Sequence, residues 1–332
     1  MKRLLERLLG DRPPTAQQVI AVTKTYIRAD LAPFLEVSPQ APVRIELPFR
    51  GRRNLSWIVT LGDKKVMMRC YMPDQRNEMH THVTALRLME QNDVYAPKLI
   101  HAIETPAKYG VLFAASEFVT GEGRGGQQQL SMDEVRCLAT QAAQLHSIHS
   151  PSWGTLSEAS KGDYFAELIR MVERYTARAE KFEMLTAAQR AQMKKWFSNW
   201  REKFSDLNSY SLVHGDLHPN NVLFNDAGGC CLVDTDEFFW GLGMWDVALI
   251  HDRGCRQEEE RIRVFDETYL ARLQEADRLR HQRLMPFFEA FYRLRAVMRA
   301  VRLKERKQDR ITTPRALKGD LWEQLLRISV GQ

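Results

Sequence analysis

No run of about 18 apolar residues occurs anywhere in the sequence, so no membrane-spanning helix is expected. No C-x-x-C pair occurs either, and the cysteines (Cys70, Cys137, Cys230, Cys231 and Cys255) are odd in number. That pattern argues against a zinc ribbon or a disulfide framework. It reads as reduced, partly buried thiols of a cytoplasmic protein. Internal repeats are absent. The opening "MKRLLERLLG" has a basic start, but Glu6, Arg7 and Asp11 interrupt its apolar part. It reads as a short amphipathic helix or a peripheral tail.

What is present is a globular composition, 44% hydrophobic over 332 residues, enough for one large domain or two modest ones. The formal net charge is +6. Residues 293 to 310, "RLRAVMRAVRLKERKQDR", carry eight Arg or Lys against Glu305 and Asp309, a net +6 in this one segment. One basic helix is too little for nucleic-acid recognition, and no nucleic-acid partner is expected.

The hydrophobic pattern divides the chain. Residues 15 to 36 read as a helix. "LSWIVTLGDKKVMMRCYMP" reads as two strands joined by a turn at Gly62-Asp63. A helix over 76 to 91 and strands within 94 to 119 complete an antiparallel sheet with one helix. The glycine-rich "GEGRGGQQQ" then reads as a connector. Beyond it the spacing turns helical. Ser131 with Glu134 forms a capping-box signature, followed by Val135, Leu138, Ala142 and Leu145 on one face. Thr186 and Gln189 predict another cap, and Met193, Trp196, Phe197 and Trp200 a packing stripe. Residues 257 to 331 read as mostly helical.

Within this frame lies "SLVHGDLHPNNVLF", then the apolar "CCLVD". The spacing is H-x-D-x4-N from His214 through Asp216 to Asn221, with Asp234 thirteen residues on. Phosphoryl transfer needs these residue types: a carboxylate to meet the acceptor hydroxyl, and oxygen ligands for magnesium. Asp216 suits the first task, Asn221 and Asp234 the second. A transition-metal site at His214, Asp216 and His218 would leave Asn221 and Asp234 unexplained. A structural Asx–Pro turn does not account for the whole pattern.

"HGDLHPNNVLF" followed by "LVDTDEFFWGLGMWDVA" resembles the aminoglycoside phosphotransferase and choline kinase superfamily, small-molecule relatives of protein kinases. The resemblance covers roughly residues 45 to 300 and implies an α+β, protein-kinase-like bilobal fold. A small antiparallel-sheet N-terminal lobe with a helical extension (1–120) would bind nucleotide. A larger, mainly helical C-terminal lobe (121–332) would hold the catalytic loop and acceptor site. It implies ATP, with GTP as the alternative, and Mg2+ as cofactors. Asp216 would be the catalytic base-like residue, His214 the loop-ordering histidine, Asn221 and Asp234 the metal ligands, and Asp246 a structural brace. On the nucleotide side, Arg69 stands in the lysine slot of "VMMRC". Asn54 and Ser56 fall at the phosphate-covering turn, which has Gly51 but no G-x-G-x-x-G. Glu78 is the available helix carboxylate for Arg69, although the expected position counts nearer His82. Glu117 to Val119 would line the adenine pocket, and His146 is expected to be structural.

The acceptor is less legible. Asp236, Glu237, Trp240, Glu258 and Arg293 are candidate acceptor-binding residues, and their acidic and basic signals conflict. Only eleven residues separate Asp234 from Asp246, too few for a peptide-docking segment. A small hydroxyl-bearing substrate is therefore expected: an aminoglycoside or other antibiotic, an amino alcohol, or a sugar-like metabolite. The protein would act as monomer or homodimer. The alternative is a catalytically weak, nucleotide-binding kinase-like protein acting through protein interaction.

Overall fold

The structure is a computed structural model and describes residues 16–46, 55–125, 128–160, 162–226 and 228–305. The expected N-terminal amphipathic segment, Gly51, Asn54 and the basic segment past Glu305 lie outside these residues.

The predicted helix over 15 to 36 is α1 (Ala16–Tyr26), a π turn (Ile27–Leu31) and a short α2 (Ala32–Phe34). It packs on one face of a five-stranded antiparallel sheet made of β1 (Val43–Glu46), β2 (Leu55–Leu61), β3 (Lys64–Tyr71), β4 (Leu99–Ile103) and β5 (Leu112–Glu117), ordered β1-β2-β3-β5-β4. Alternation in β3 sends Val66, Met68 and Cys70 into that interface, where Tyr26, Ile27, Trp57 and Phe113 close the layer. The β2–β3 turn has Gly62 at φ +60°, a left-handed conformation that glycine adopts without a Cβ penalty. Helix α3 (Arg76–Gln91) covers the opposite face, with Met79 and Val83 against Tyr71, Leu112 and Ala114.

The remainder is a larger, helix-rich lobe. Helix α4 (Met132–His146) begins at the predicted capping box. The Ser131 N–H donates to Glu134 at 2.7 Å, and the Glu134 N–H donates to Ser131 Oγ at 3.2 Å. Helices α5 (Tyr164–Lys181) and α6 (Ala187–Ser198) follow, the second capped by Thr186 and Gln189 as expected. Helices α7 (Met244–Arg253), α8 (Glu259–Leu270) and α9 (Glu275–Glu305) complete the helical body. Of the expected stripe, Met193 and Phe197 are buried in its core and Trp196 and Trp200 pack against it, beside Phe265, Phe287 and Phe291. Short strands β6 (His149–Ser150), β7 (Trp153–Thr155), β8 (Ala159–Ser160), β9 (Tyr210–Val213) and β12 (Phe239–Gly241) form a small sheet, and β10 (Val222–Phe224) pairs with β11 (Cys230–Leu232). This is an α+β bilobal, protein-kinase-like arrangement. Among the described residues, no helix is long and apolar enough to cross a membrane.

The thiol expectation needs one correction. Cys137 on α4 and Cys230 on β11 are joined as a disulfide, with Cα atoms 6.1 Å apart and a sequence separation of 93. Packing of α4 against β11 brings them together, a long-range contact that cysteine spacing does not reveal. Cys70, Cys231 and Cys255 are free and buried, and burial pushes each thiol up to about 12.

Candidate active site

Two strands set the geometry of the loop. Strand β9 ends at Val213 and delivers His214, Gly215 and Asp216. The β10–β11 hairpin then places Val222 opposite Leu232. Asn221 and Val233 are therefore neighbours, joined by a Val233 N–H to Asn221 C=O bond of 3.0 Å. Asp234 is the next residue, so the hairpin puts the two proposed metal ligands at the same end.

The asparagine is oriented by its own amide. Asn221 Nδ2 donates to the Asp216 backbone carbonyl at 2.9 Å. This leaves Oδ1, the oxygen a hard cation prefers, facing away from that bond. Asp234 occupies a left-handed conformation, φ +66°, and its carboxylate is half exposed at the cleft. His218 accepts the Asn220 N–H through Nδ1 at 3.2 Å, and its Nε2 lies 3.4 Å from Asp216 Oδ2. The second histidine of the motif thus steadies the Asp216 carboxylate. His214 Nε2 donates to the Val233 carbonyl at 2.9 Å, tying the loop to the residue before Asp234. Among the described residues, no group of three or more His, Cys, Asp or Glu side chains is placed to hold a metal ion.

Asp246, at the start of α7, is fully buried. Its carboxylate accepts the His214 N–H at 2.7 Å and the Gly215 N–H at 3.0 Å. His146 Nε2 stands 3.2 Å from the same carboxylate, and its Nδ1 is 2.8 Å from the Tyr269 hydroxyl. A chain of Tyr269, His146 and Asp246 therefore braces the loop from beneath. Gly215 is required where it stands. Its φ is +83°, and a Cβ there would sit 2.4 Å from the Glu237 carbonyl.

On the side expected to bind nucleotide, Arg69 of β3 is in register with Ser56 of β2. Its Nη1 donates to Asp236 Oδ1 at 2.5 Å, and its Nη2 lies 3.4 Å from Asp234 Oδ1. Burial opposes the guanidinium charge, but Asp236, then Tyr71 and Asp234, outweigh it and hold the pKa above its ordinary value. Glu78 lies exposed in the first turn of α3, and the structure does not bring it to Arg69. His82, one turn on, is buried there instead, its Nδ1 2.5 Å from Thr235 Oγ1. Burial, reinforced by the Arg69 charge, drives its pKa well below the usual histidine value, so His82 is neutral. Glu117 ends β5, where its N–H donates to the Lys98 carbonyl at 2.9 Å, and Val119 follows in irregular backbone.

The acceptor candidates separate. Asp236 faces Arg69. Glu237 stands 3.6 Å from Arg295, whose two Nη atoms each reach the Gly215 carbonyl at 3.3 Å. Trp245 donates to that carbonyl at 3.3 Å, and Arg295 covers the Trp245 ring at 4.8 Å. Glu258 is bound by Gln129 and Arg261, each at 2.6 Å. Trp240 is half-buried on β12, and Arg293 is half-buried on α9. Sequence reasoning chose Arg293, whereas the arginine at the loop is Arg295. A two-residue step rotates about 200° around a helix, so the choice hung on knowing which face of α9 meets the loop.

A strand-rich lobe over a helical lobe, with this loop and the following aspartate at their junction, defines a kinase-like phosphotransferase fold. The chain belongs to the APH phosphotransferase enzyme family, which it matches across residues 45–287. None of the curated proteins matches it. Among solved structures, it resembles an ethanolamine kinase of Plasmodium vivax, with a TM-score of 0.68 and 13% identity over 99% of this chain and 94% of that one. A thermostable mutant of aminoglycoside phosphotransferase APH(4)-Ia, in ternary complex with AMP-PNP and hygromycin B, gives a TM-score of 0.64 and 13% identity over 94% of this chain and 99% of that one. A microcompartment-associated aminopropanol kinase gives a TM-score of 0.54 and 18% identity over 94% of each chain. At these identities the likenesses concern the fold.

Proposed function

We propose that the protein is an ATP- and Mg2+-dependent O-phosphotransferase acting on a hydroxyl of a small molecule. One observation carries the reading. Asp216, Asn221 and Asp234 are gathered on one loop and one hairpin, with Asp246 bonding the loop's backbone from below.

The donor set fits magnesium. An amide oxygen from Asn221 and a carboxylate from Asp234 are hard ligands, and this ion takes few protein groups, completing its shell with water and phosphate oxygens. Held there, it supplies neutralisation of phosphate charge during transfer. Arg69 directs a fixed positive charge at the phosphate side of the same cleft. Asp216, steadied by His218, orients the acceptor hydroxyl and takes its proton as the bond from that oxygen to the γ-phosphorus of ATP forms and the bond from the γ-phosphorus to the β,γ-bridging oxygen breaks, releasing ADP. Most of the rate gain then comes from positioning and electrostatics. The short segment between Asp234 and Asp246 leaves the acceptor side open to a small alcohol.

The test is an ATP-consumption screen of purified protein over aminoglycosides, other hydroxylated antibiotics, amino alcohols and sugars, with product masses read for one added phosphate. A phosphorylated product that vanishes with Asp234→Ala supports the reading. Magnesium-dependent nucleotide binding unchanged by Asp234→Ala would contradict it.

A further inference from the structure

We propose that Asp236, in the C-terminal lobe, is the carboxylate that holds Arg69 in its phosphate-facing position, replacing a glutamate from helix α3. The proposal rests on the phosphate-clamping role given to Arg69 above.

A guanidinium on a strand end keeps one direction only if an anion fixes it. The short bond to Arg69 comes from Asp236, at 2.5 Å, and both side chains are largely buried, at 16% and 19% exposure. Asp234 lies farther off, at 3.4 Å, and is 51% exposed, as a group serving a cation in the cleft should be. Helix α3 offers no inward-facing acid. Its buried positions are Met79, Thr81, His82, Val83, Ala85, Leu86 and Met89, and its acids Glu78 and Glu90 are both exposed. At the inward position the helix presents neutral His82, which grips the Thr235 hydroxyl rather than Arg69.

The two bonds have a common geometry. Arg69 to Asp236 and His82 to Thr235 both run from the N-terminal lobe into the single turn Thr235–Glu237, directly after Asp234. That turn is entered through the left-handed backbone of Asp234. The cation that clamps phosphate and the carboxylate that holds magnesium are thereby fixed to one three-residue segment. A pair formed within the N-terminal lobe could survive lobe opening or be broken by swinging the helix. This pair breaks when the lobes part and is indifferent to a local shift of Glu78. Asp236 is thus a positioning residue, and its loss also frees Arg69 to turn onto Asp234 and compete with the metal.

The experiment measures binding of AMP-PNP by calorimetry across a Mg2+ titration, which keeps it independent of any acceptor. Asp236→Asn is expected to weaken nucleotide at least tenfold and to raise the Mg2+ concentration for half-maximal binding. Asp236→Glu recovers most of the affinity, and Glu78→Gln stays within twofold of the parent. The double variant Asp236→Asn with His82→Glu, which moves the carboxylate onto the helix, recovers affinity over the single variant. Binding by Asp236→Asn within twofold of the parent, or a tenfold loss in Glu78→Gln, overturns the proposal. If Asp236→Asn does not fold, the Glu78→Gln result decides, since a glutamate partner must show there. A parent protein that binds no nucleotide with Mg2+ would instead sink the phosphotransferase reading itself.

Discussion

The two sides of the cleft are built by different logic. Beneath the acceptor side, the His214–Asp216 loop rests on a buried network from its own lobe: Asp246 on two backbone amides, His146 on Asp246, Tyr269 on His146. On the proposed nucleotide side, Arg69 is bonded by a residue of the other lobe, and the helix of its own lobe contributes an uncharged His82. One half draws its bonds from within the C-terminal lobe. The other draws its bond across the two lobes. Under the proposed function, the carboxylate that meets the acceptor and the arginine that clamps phosphate thus have different anchors.

The comparison breaks most sharply at Asp216. Under the proposed function, Asp216→Ala removes the proton acceptor but touches neither of the proposed metal ligands. Transfer to the acceptor identified in the screen is expected to fall by about 10²–10⁴-fold. Magnesium-dependent nucleotide affinity should remain near the parent's. Parent-like turnover would remove Asp216 from the chemistry.

Asp246 measures how much the brace itself is worth. Asp246→Ala strands two buried amides and a buried histidine, and about 3–5 kcal/mol of stability should go with it. Urea unfolding followed by tryptophan fluorescence reads this directly. Asp246→Asn keeps one acceptor oxygen and should fall between. A loss below about 1 kcal/mol for the alanine variant would mean that the loop holds its shape without the brace.

Gly215 tests the same lobe through its backbone. An alanine must tolerate φ +83° and a Glu237 carbonyl at 2.4 Å, neither of which can relax without moving the loop. The expected cost is about 2–4 kcal/mol, from left-handed strain plus overpacking. Turnover should fall further than nucleotide affinity, because Asp216 is the next residue.

The sequence was most legible where function is local. H-x-D-x4-N, the strand–turn–strand and Asp234 lie within about twenty residues, and the hairpin register follows from alternation. Capping boxes at Ser131 and Thr186 were equally readable, because each involves four consecutive residues. What stayed hidden depends on helix azimuth or on partners far apart in the chain. Arg295 reaches Gly215 across 80 residues, Cys137 reaches Cys230 across 93, and Arg69 finds Asp236 across 167. The partner of Arg69 stayed hidden for the same reason: Glu78 is the carboxylate the helix offers and counting points nearer His82, which is the buried position, while Asp236 lies 167 residues on with no local pattern to point to it.

The smallest expected effect concerns the scaffold behind the brace. His251 on α7 is buried between Asp266 on α8, at 2.9 Å, and Glu289 on α9, at 3.7 Å. Burial alone would lower its pKa, but the bonds and charges of the two carboxylates raise it to about 9. The folded state therefore binds this proton more tightly than the unfolded chain, whose histidine titrates near the ordinary 6.5. The stabilisation is fully present below about pH 6.5 and is lost as pH rises through about 9. Both carboxylates are partly exposed, at 32% and 39%, so solvent screening trims the gain to about 1–2 kcal/mol. Melting temperatures of the parent and His251→Gln, taken at about pH 6 and pH 10, should differ most at the lower pH and converge at the higher. Nucleotide affinity should hardly move in either protein, because Arg69 takes its anchor from the turn at Asp236 and not from α7–α9. A parallel loss of nucleotide binding would show that the two halves of the cleft share one scaffold after all.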